Sequence, residues 1–356
     1  MKILTIIGAR PQFIKAAAVS RQLKTNNIPE IIVHTGQHFD DNMSKVFFDE
    51  MDIPLPNYNL NVHSLSHGAM TGRMLEGIEQ IIISEKPTLV MVYGDTNSTL
   101  AGALAAVKMH VPVAHVEAGL RSFNLEMPEE VNRILTDRVS SHLFCPTQAS
   151  VQNLLAEGFG NFNCRIEITG DVMQDVALYY GAKSAERSKI LSDLKINSPF
   201  ALTTFHRQEN TDDPAKLKGI VEALNEIHRK MEVVVPIHPR TEGLIKSMGI
   251  ITDFRKIPPV GYFDMMELLK GCSLVLTDSG GLQKEAFFFG KCCVTMRQET
   301  EWVELVEHGF NLLAYPEKET ILKAWEQMIN LKPNFNIDLY GNGKASERIA
   351  KYIKSL

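Results

Sequence analysis

Long apolar runs are missing from this chain, and no stretch approaches the roughly 18 unbroken apolar residues of a membrane-spanning helix. The opening run over residues 3–7 meets Arg10 and Lys15 where a secretory signal would stay apolar up to a small-residue cleavage site, so a cytoplasmic protein is expected. Positive charge is also in short supply. Against 42 Asp+Glu stand 37 Lys+Arg, a formal net charge of -5, which leaves no surplus to neutralise a nucleic-acid backbone or hold an anionic bilayer. Neither nucleic acid nor membrane is therefore an expected partner, although a local basic pocket remains open. Cysteine is sparse: Cys145, Cys164, Cys272, Cys292 and Cys293 form no C-x-x-C pair, which argues against a zinc ribbon or a disulfide framework. They read as small buried hydrophobes in a reducing compartment, and no metal is expected. Low-complexity tracts, short repeats and long linkers are absent as well.

What is present is enough for packed cores, with 44% hydrophobic and 22% charged residues. At roughly 150 residues per domain, 356 residues make about two domains. Short apolar runs at 3–7, 31–34, 89–92, 113–116 and 143–145 alternate with helical patterns, as strands buried on both faces of a parallel sheet do. A second series follows at 201–204, 233–236, 274–276 and 293–296. The fold class is α/β, with one unit over 1–168, a second over 169–342, and a final helix at about 343–356 that returns to the first. When two such sheets face one another, the loops at the carboxyl ends of their strands line the cleft where open α/β sheets bind ligands.

Those loops carry the conspicuous polar residues. Gly8-Ala9-Arg10-Pro11 leads from the first strand into a helix and, with Lys15, places two cations at a helix start. Cations there oppose the helix dipole unless an anion is present, so a bound anion competes with a plain turn bearing solvated charges. His34-Thr35-Gly36-Gln37 and Tyr93-Gly94-Asp95-Thr96 end two further strands, with Ser98 and Thr99 as candidate helix caps. Asp95, Glu117 and Glu129 issue from neighbouring crossovers. If they converge, mutual repulsion raises at least one pKa toward general-acid use; a salt-bridge network with Arg121, Arg133 and Arg138 is the competing reading. In the second unit, His206 and Arg207 follow one strand and His238 and Arg240 another, a pattern suited to pyrophosphate. The segment Asp278-Ser279-Gly280-Gly281 ends a strand where a helix begins, so bare backbone can approach a phosphate, and Glu285 lies within reach of a ribose.

As an ordered set over about residues 1–310, these segments, together with His115-Val116-Glu117-Ala118-Gly119-Leu120-Arg121 and Pro128-Glu129-Glu130-Val131-Asn132-Arg133, resemble the non-hydrolysing UDP-N-acetylglucosamine 2-epimerases. The resemblance implies two Rossmann-like domains in a glycosyltransferase-B-like arrangement around a central cleft, a homodimer, and interconversion of UDP-GlcNAc and UDP-ManNAc for surface polysaccharide synthesis. No cofactor, neither NAD nor metal, is implied. Asp95, Glu117, Glu129 and His206 match the family's catalytic positions. Arg10, Lys15, Ser279, Gly280, Gly281 and Glu285 match its UDP-binding ones. Gln37, Arg73, Arg207 and His238 match part of a second, activating UDP-GlcNAc site, where a glutamine three residues after Gln37 is replaced by Asp40. Where common members carry an arginine in a Thr-Glu-Arg-Pro-Glu segment, this chain reads Thr300-Glu301-Trp302-Val303-Glu304. That form is similar to the branch with UDP-2,3-diacetamido-2,3-dideoxyglucuronate 2-epimerases, which makes that sugar the alternative substrate.

No carbonyl acidifies C2 of such a sugar, but C1 bears a good leaving group. Elimination of UDP to a glycal and re-addition inverts C2, which requires a base, an acid on the other face and retention of UDP. Domain closure about a hinge near Gly170 would exclude water from the glycal. A glycosyltransferase on the same plan and a binding-only sensor remain alternatives.

Overall fold

Continuous Val, Ile and Leu runs make strands that are apolar on both faces, and such strands need helices above and below them. The computed structural model describes residues 1–37 and 54–356. The first unit runs β1 (Ile3–Ile7), α1 (Arg10–Thr25), β2 (Glu30–His34), β3 (Tyr58–Asn59), α2 (His67–Glu85), β4 (Leu89–Tyr93), α3 (Asn97–Lys108), β5 (Val113–Val116), α4 (Pro128–Val139), β6 (His142–Cys145), α5 (Gln148–Ala156) and β7 (Arg165–Ile168), then enters α6 (Val172–Arg187). Its sheet is parallel in the order β3-β2-β1-β4-β5-β6-β7. β1 pairs with β2 on one side and β4 on the other, so the winding reverses between β1 and β4. Leu4, Ile6, Val90 and Val92 pack with Met74 and Ile78 of α2 and Ala101 and Ala105 of α3.

The second unit continues with α7 (Ile190–Asp193), β8 (Phe200–Thr204), α8 (Gln208–Thr211), α9 (Pro214–His228), β9 (Glu232–Pro236), α10 (Pro239–Ser247), β10 (Arg255–Ile257), α11 (Tyr262–Gly271), β11 (Leu274–Thr277), α12 (Gly280–Phe288), β12 (Cys293–Thr295), α13 (Val303–Glu307), β13 (Asn311–Leu313) and α14 (Lys318–Met328). Its parallel sheet has the order β10-β9-β8-β11-β12-β13, reversing between β8 and β11. Ala201 packs with Leu217 and Trp325 on one face, while its neighbours Phe200 and Leu202 pack with Leu268 and Leu282 on the other.

The first unit comprises Met1–Val176 and Asp338–Leu356, the second Ala177–Ile337. The chain thus changes unit inside α6 rather than directly after Ile168. Residues that follow β7 stay tied to the first unit because Asp171 donates its N–H to the Tyr340 carbonyl at 2.8 Å and Asp175 accepts from the N–H groups of Ala345 and Ser346. The last helix, α15 (Ala345–Lys354), packs on α1, and its Tyr352 hydroxyl bonds the His142 ring at 2.9 Å. All five cysteines are free, and burial pushes the thiols of Cys145, Cys272, Cys292 and Cys293 up, away from nucleophilic use.

Candidate active site

In open parallel sheets ligands bind outside the carboxyl ends of the strands where the winding reverses. In the first unit that point is flanked by the loops after β1 and β4. Gly8 is required there, since a Cβ would lie 2.0 Å from Thr35 Oγ1 and 2.2 Å from Ser98 Oγ. Gln12, in the first turn of α1, accepts from the N–H groups of Gly8 and Ala9 and donates to the Tyr93 carbonyl and Thr99 Oγ1, both at 2.8 Å. One buried amide therefore stitches the β1 loop to the end of β4. The Arg10 backbone opens α1, and its side chain lies outside the described residues.

Lys15, expected on the nucleotide, is ion-paired with Glu117, and both side chains are nearly buried. The anion that the cationic helix start called for is thus supplied, at least in part, by the protein's own carboxylate. Glu117 adopts φ +73°, a left-handed conformation that costs an L residue about 1–2 kcal/mol. Its N–H and that of Ala118 both donate to the Phe144 carbonyl at 3.1 Å, which helps hold the turn. Lys15 and Glu117 share a shallow recess with Val116, Pro146, Gly170, Asp171 and Val172.

Asp95 lies in the turn after β4 and receives a 2.7 Å hydrogen bond from Arg133 Nη2. Burial pushes its carboxyl above the usual range against the pull of Arg133 and Lys15, and the charges of Glu117 and Glu129 add to the rise. These interactions place all three expected carboxylates in one electrostatic neighbourhood. Glu129 itself is exposed in the first turn of α4. Of the three competing arginines only Arg133 pairs with one of the three carboxylates. Arg121 pairs with Asp137 and Glu157, and Arg138 stacks on Phe162 at 3.6 Å.

Helix α4 organises this region. Glu130, fully buried, accepts from the N–H groups of Ser122 and Phe123, and Asn132 donates to the Asp95 carbonyl at 2.9 Å. The buried Nη1 of Arg133 has no partner among the described residues. Gln37 accepts from the N–H and hydroxyl of Ser98, so it braces the start of α3, where Thr96 is the N-cap. Arg73 is an exposed residue of α2 paired with Glu76, and Asp40 lies outside the described residues.

In the second unit the reversal lies between β8 and β11, and one carboxylate shapes both loops. Asp278, fully buried, accepts from the N–H groups of His206 and Arg207 at 3.0 Å each and from Asn210 Nδ2 at 3.1 Å. The half-exposed His206 ring stands 3.7 Å from the same carboxylate. Ser279 is the N-cap of α12 but makes no side-chain capping bond among the described residues. The nearest atoms to a Cβ on Gly280 are Glu301 Oε2 and Trp302 Nε1, both 3.7 Å away, so the backbone approach to this helix start is open. First-turn N–H groups lack intrahelical partners and favour anions. Glu285 is half-buried one turn further along α12.

Beside this helix start, Arg297 donates to Glu301 at 2.9 Å and Arg207 lies 3.7 Å from it. Burial pushes the Glu301 carboxyl up, yet Arg297, a backbone hydrogen bond and Arg207 overcome it and hold it low. Lys284 is buried with its ammonium 3.7 Å above the Trp302 ring, which accounts for a large aromatic where common members have arginine. His238 is the N-cap of α10, accepting from the Arg240 N–H at 3.2 Å through Nδ1, and Arg240 pairs with Asp212. Sequence reasoning did not assign Gln12, Asp137, Asp278, Arg297 or Glu301. Only the proximity of Gln12 and Asp278 to glycine-bearing loops signalled them.

Two doubly wound parallel sheets with chemistry at their reversal points define an α/β protein of two Rossmann-like units, one gathering proton-transfer groups and the other opening a helix start to an anion. The chain is matched over residues 21–354 by the sequence profile of the UDP-N-acetylglucosamine 2-epimerases, and it belongs to that family of isomerases. Relatives include the UDP-2,3-diacetamido-2,3-dideoxy-D-glucuronate 2-epimerase of Pseudomonas aeruginosa, 56% identical over 100% of both chains. The UDP-N-acetylglucosamine 2-epimerase of Methanocaldococcus jannaschii is 43% identical over 99% of both. The crystal structure of the M. jannaschii UDP-GlcNAc 2-epimerase in complex with UDP-GlcNAc and UDP superposes with a TM-score of 0.90 at 42% identity, covering 100% of both chains. The Neisseria meningitidis enzyme bound to UDP-GlcNAc gives 0.89 at 30% identity, again over 100% of both.

Proposed function

We propose that this protein epimerises C2 of UDP-2,3-diacetamido-2,3-dideoxyglucuronate. The sequence motifs put UDP-GlcNAc first and this sugar second. Identity of 56% to the P. aeruginosa enzyme against 43% to the M. jannaschii one, over essentially whole chains, favours the reverse order. Trp302 in place of the common arginine supports the same choice.

The observation that carries the mechanism is the joining of Asp95, Glu117, Glu129, Lys15 and Arg133 by charge and hydrogen bonds. Glu117, facing an ammonium that favours its ionised form, removes the C2 proton. The C2–H electrons become the C1–C2 double bond, the C1–O bond breaks, and UDP leaves with that electron pair. Asp95, raised by burial, then delivers a proton to the opposite face of C2 as UDP re-adds at C1. Glu129 keeps Asp95 high by its charge. His206 and Arg207 stabilise the leaving diphosphate together with Arg10, and Ser279, Gly280 and Gly281 hold it at the start of α12, with Glu285 on the ribose. A second activating site using Gln37, Arg73 and His238 has less support, because Gln37 and His238 already serve as helix-start acceptors. No described helix is long and apolar enough to cross a membrane, and a cytoplasmic homodimer acting in surface polysaccharide synthesis fits this reading.

The test is NMR of each UDP-sugar in deuterated water. The diacetamido uronate is expected to exchange its C2 hydrogen for deuterium and reach an epimer mixture with UDP still attached, faster than UDP-GlcNAc. Preference for UDP-GlcNAc overturns the substrate, free sugar as product indicates hydrolysis, and no exchange in any sugar leaves a transferase or a sensor.

A further inference from the structure

We propose that His115 is a positioning residue for proton transfer, its buried imidazole tying the Asp95 loop to the turn that carries Glu117. His115 sits on β5 and is fully buried. Both ring nitrogens face acceptors: Nε2 donates to the Gly94 carbonyl at 2.7 Å and Nδ1 to Asp137 Oδ1 at 2.6 Å. Gly94 is the peptide neighbour of Asp95. The other oxygen of Asp137 accepts from the Gly119 N–H at 3.1 Å, two residues beyond Glu117. One ring and one carboxylate therefore span from the peptide before Asp95 to the far side of the Glu117 turn.

That turn needs such a brace. Glu117 at φ +73° and Gly119 at φ +79° are both left-handed, and a strained non-glycine residue persists only when its surroundings over-determine it. Arg121 completes the brace from behind. It donates to Asp137 Oδ2 at 2.7 Å and grips Glu157 with two bonds of 2.6 and 2.9 Å. A buried ionic chain is a poor way to add stability alone, because well-packed apolar residues avoid its desolvation cost. This one ends on the backbone of both acid/base loops, so its effect is geometric. Misplacing reacting groups by about 1 Å costs about 10²-fold in rate.

The inference rests on the epimerase reading above. The experiment uses the full chain with His115→Gln and Asp137→Asn and the UDP-sugar that the wild type epimerises. Both variants are expected to melt cooperatively, keep the wild-type KM and UDP affinity, and lose about 10²-fold in kcat and in C2 deuterium uptake. A folded variant with wild-type kcat overturns the proposal, as does a rise in KM with kcat unchanged. Failure of both variants to fold also overturns it, since the chain is then a folding element. A wild type that exchanges no C2 hydrogen defeats the epimerase reading itself, which no variant result can do.

Discussion

The two units share one winding scheme and use their carboxylates in opposite ways. At the β1/β4 reversal, Asp95 and Glu117 face inward on cations and on each other's fields, and one of them sits in a strained conformation. At the β8/β11 reversal, Asp278 and Glu301 are spent on shape: the first collects backbone N–H groups, the second fixes arginines. What remains open there is a glycine helix start. Identical topology thus supports proton chemistry in one unit and anion binding in the other, depending on whether a buried carboxylate is left to titrate or saturated by donors.

The largest expected effect breaks that division on the acidic side. Glu117→Gln and Asp95→Asn should each lower kcat about 10²- to 10⁴-fold, with UDP affinity by calorimetry at the wild-type value. Loss of UDP binding in either variant would mean the units do not divide the work in this way.

A smaller effect tests the other side. Gly280→Val adds atoms where the nearest protein groups are 3.7 Å away, so the melting temperature should hold. UDP affinity should fall about tenfold, or about 1.4 kcal/mol. Unchanged affinity would remove the start of α12 from the nucleotide site.

Subtler still is the pH dependence of stability. The Asp95 carboxyl is raised in the folded state above its ordinary 3.8, so the unfolded chain ionises first and folding loses stability as pH rises from there through the folded value. Asp95→Asn should therefore melt higher than wild type at pH 7, with the gain vanishing below pH 3.8. A variant that melts lower at pH 7 would show that Arg133 more than compensates for burial. The smallest effect is expected for Arg73→Ala. Its side chain and that of Glu76 are 71% and 68% exposed, so denaturant unfolding should shift by under about 0.5 kcal/mol.

The strands that sequence reasoning located are the interior ones, where both faces are covered and apolar residues run without a break. The four it did not locate, β3, β7, β10 and β13, are the edges of the two sheets. β7 reads Arg165-Ile166-Glu167-Ile168 and is mostly exposed, and β10 is only Arg255-Lys256-Ile257. An edge strand is paired on one side only and needs no apolar run, so its signal is weak. In the site, residues legible in sequence were those in short loops between strong elements, such as Asp95, Glu117 and Ser279. Asp137 lay unread in the middle of α4, because nothing in its neighbours shows that the helix turns it toward His115, 22 residues back in the chain.

The sequence by itself determined the alternating α/β plan, the family and the roster of loop groups. Apolar period, glycine position and helix-start chemistry are local properties that the chain carries wherever it folds. Only the tertiary structure decided that Lys15 meets Glu117, that Arg133 and not Arg121 meets Asp95, and that Asp278 gathers the His206 loop. Those pairings depend on strand order, and strand order is fixed by packing across distant segments.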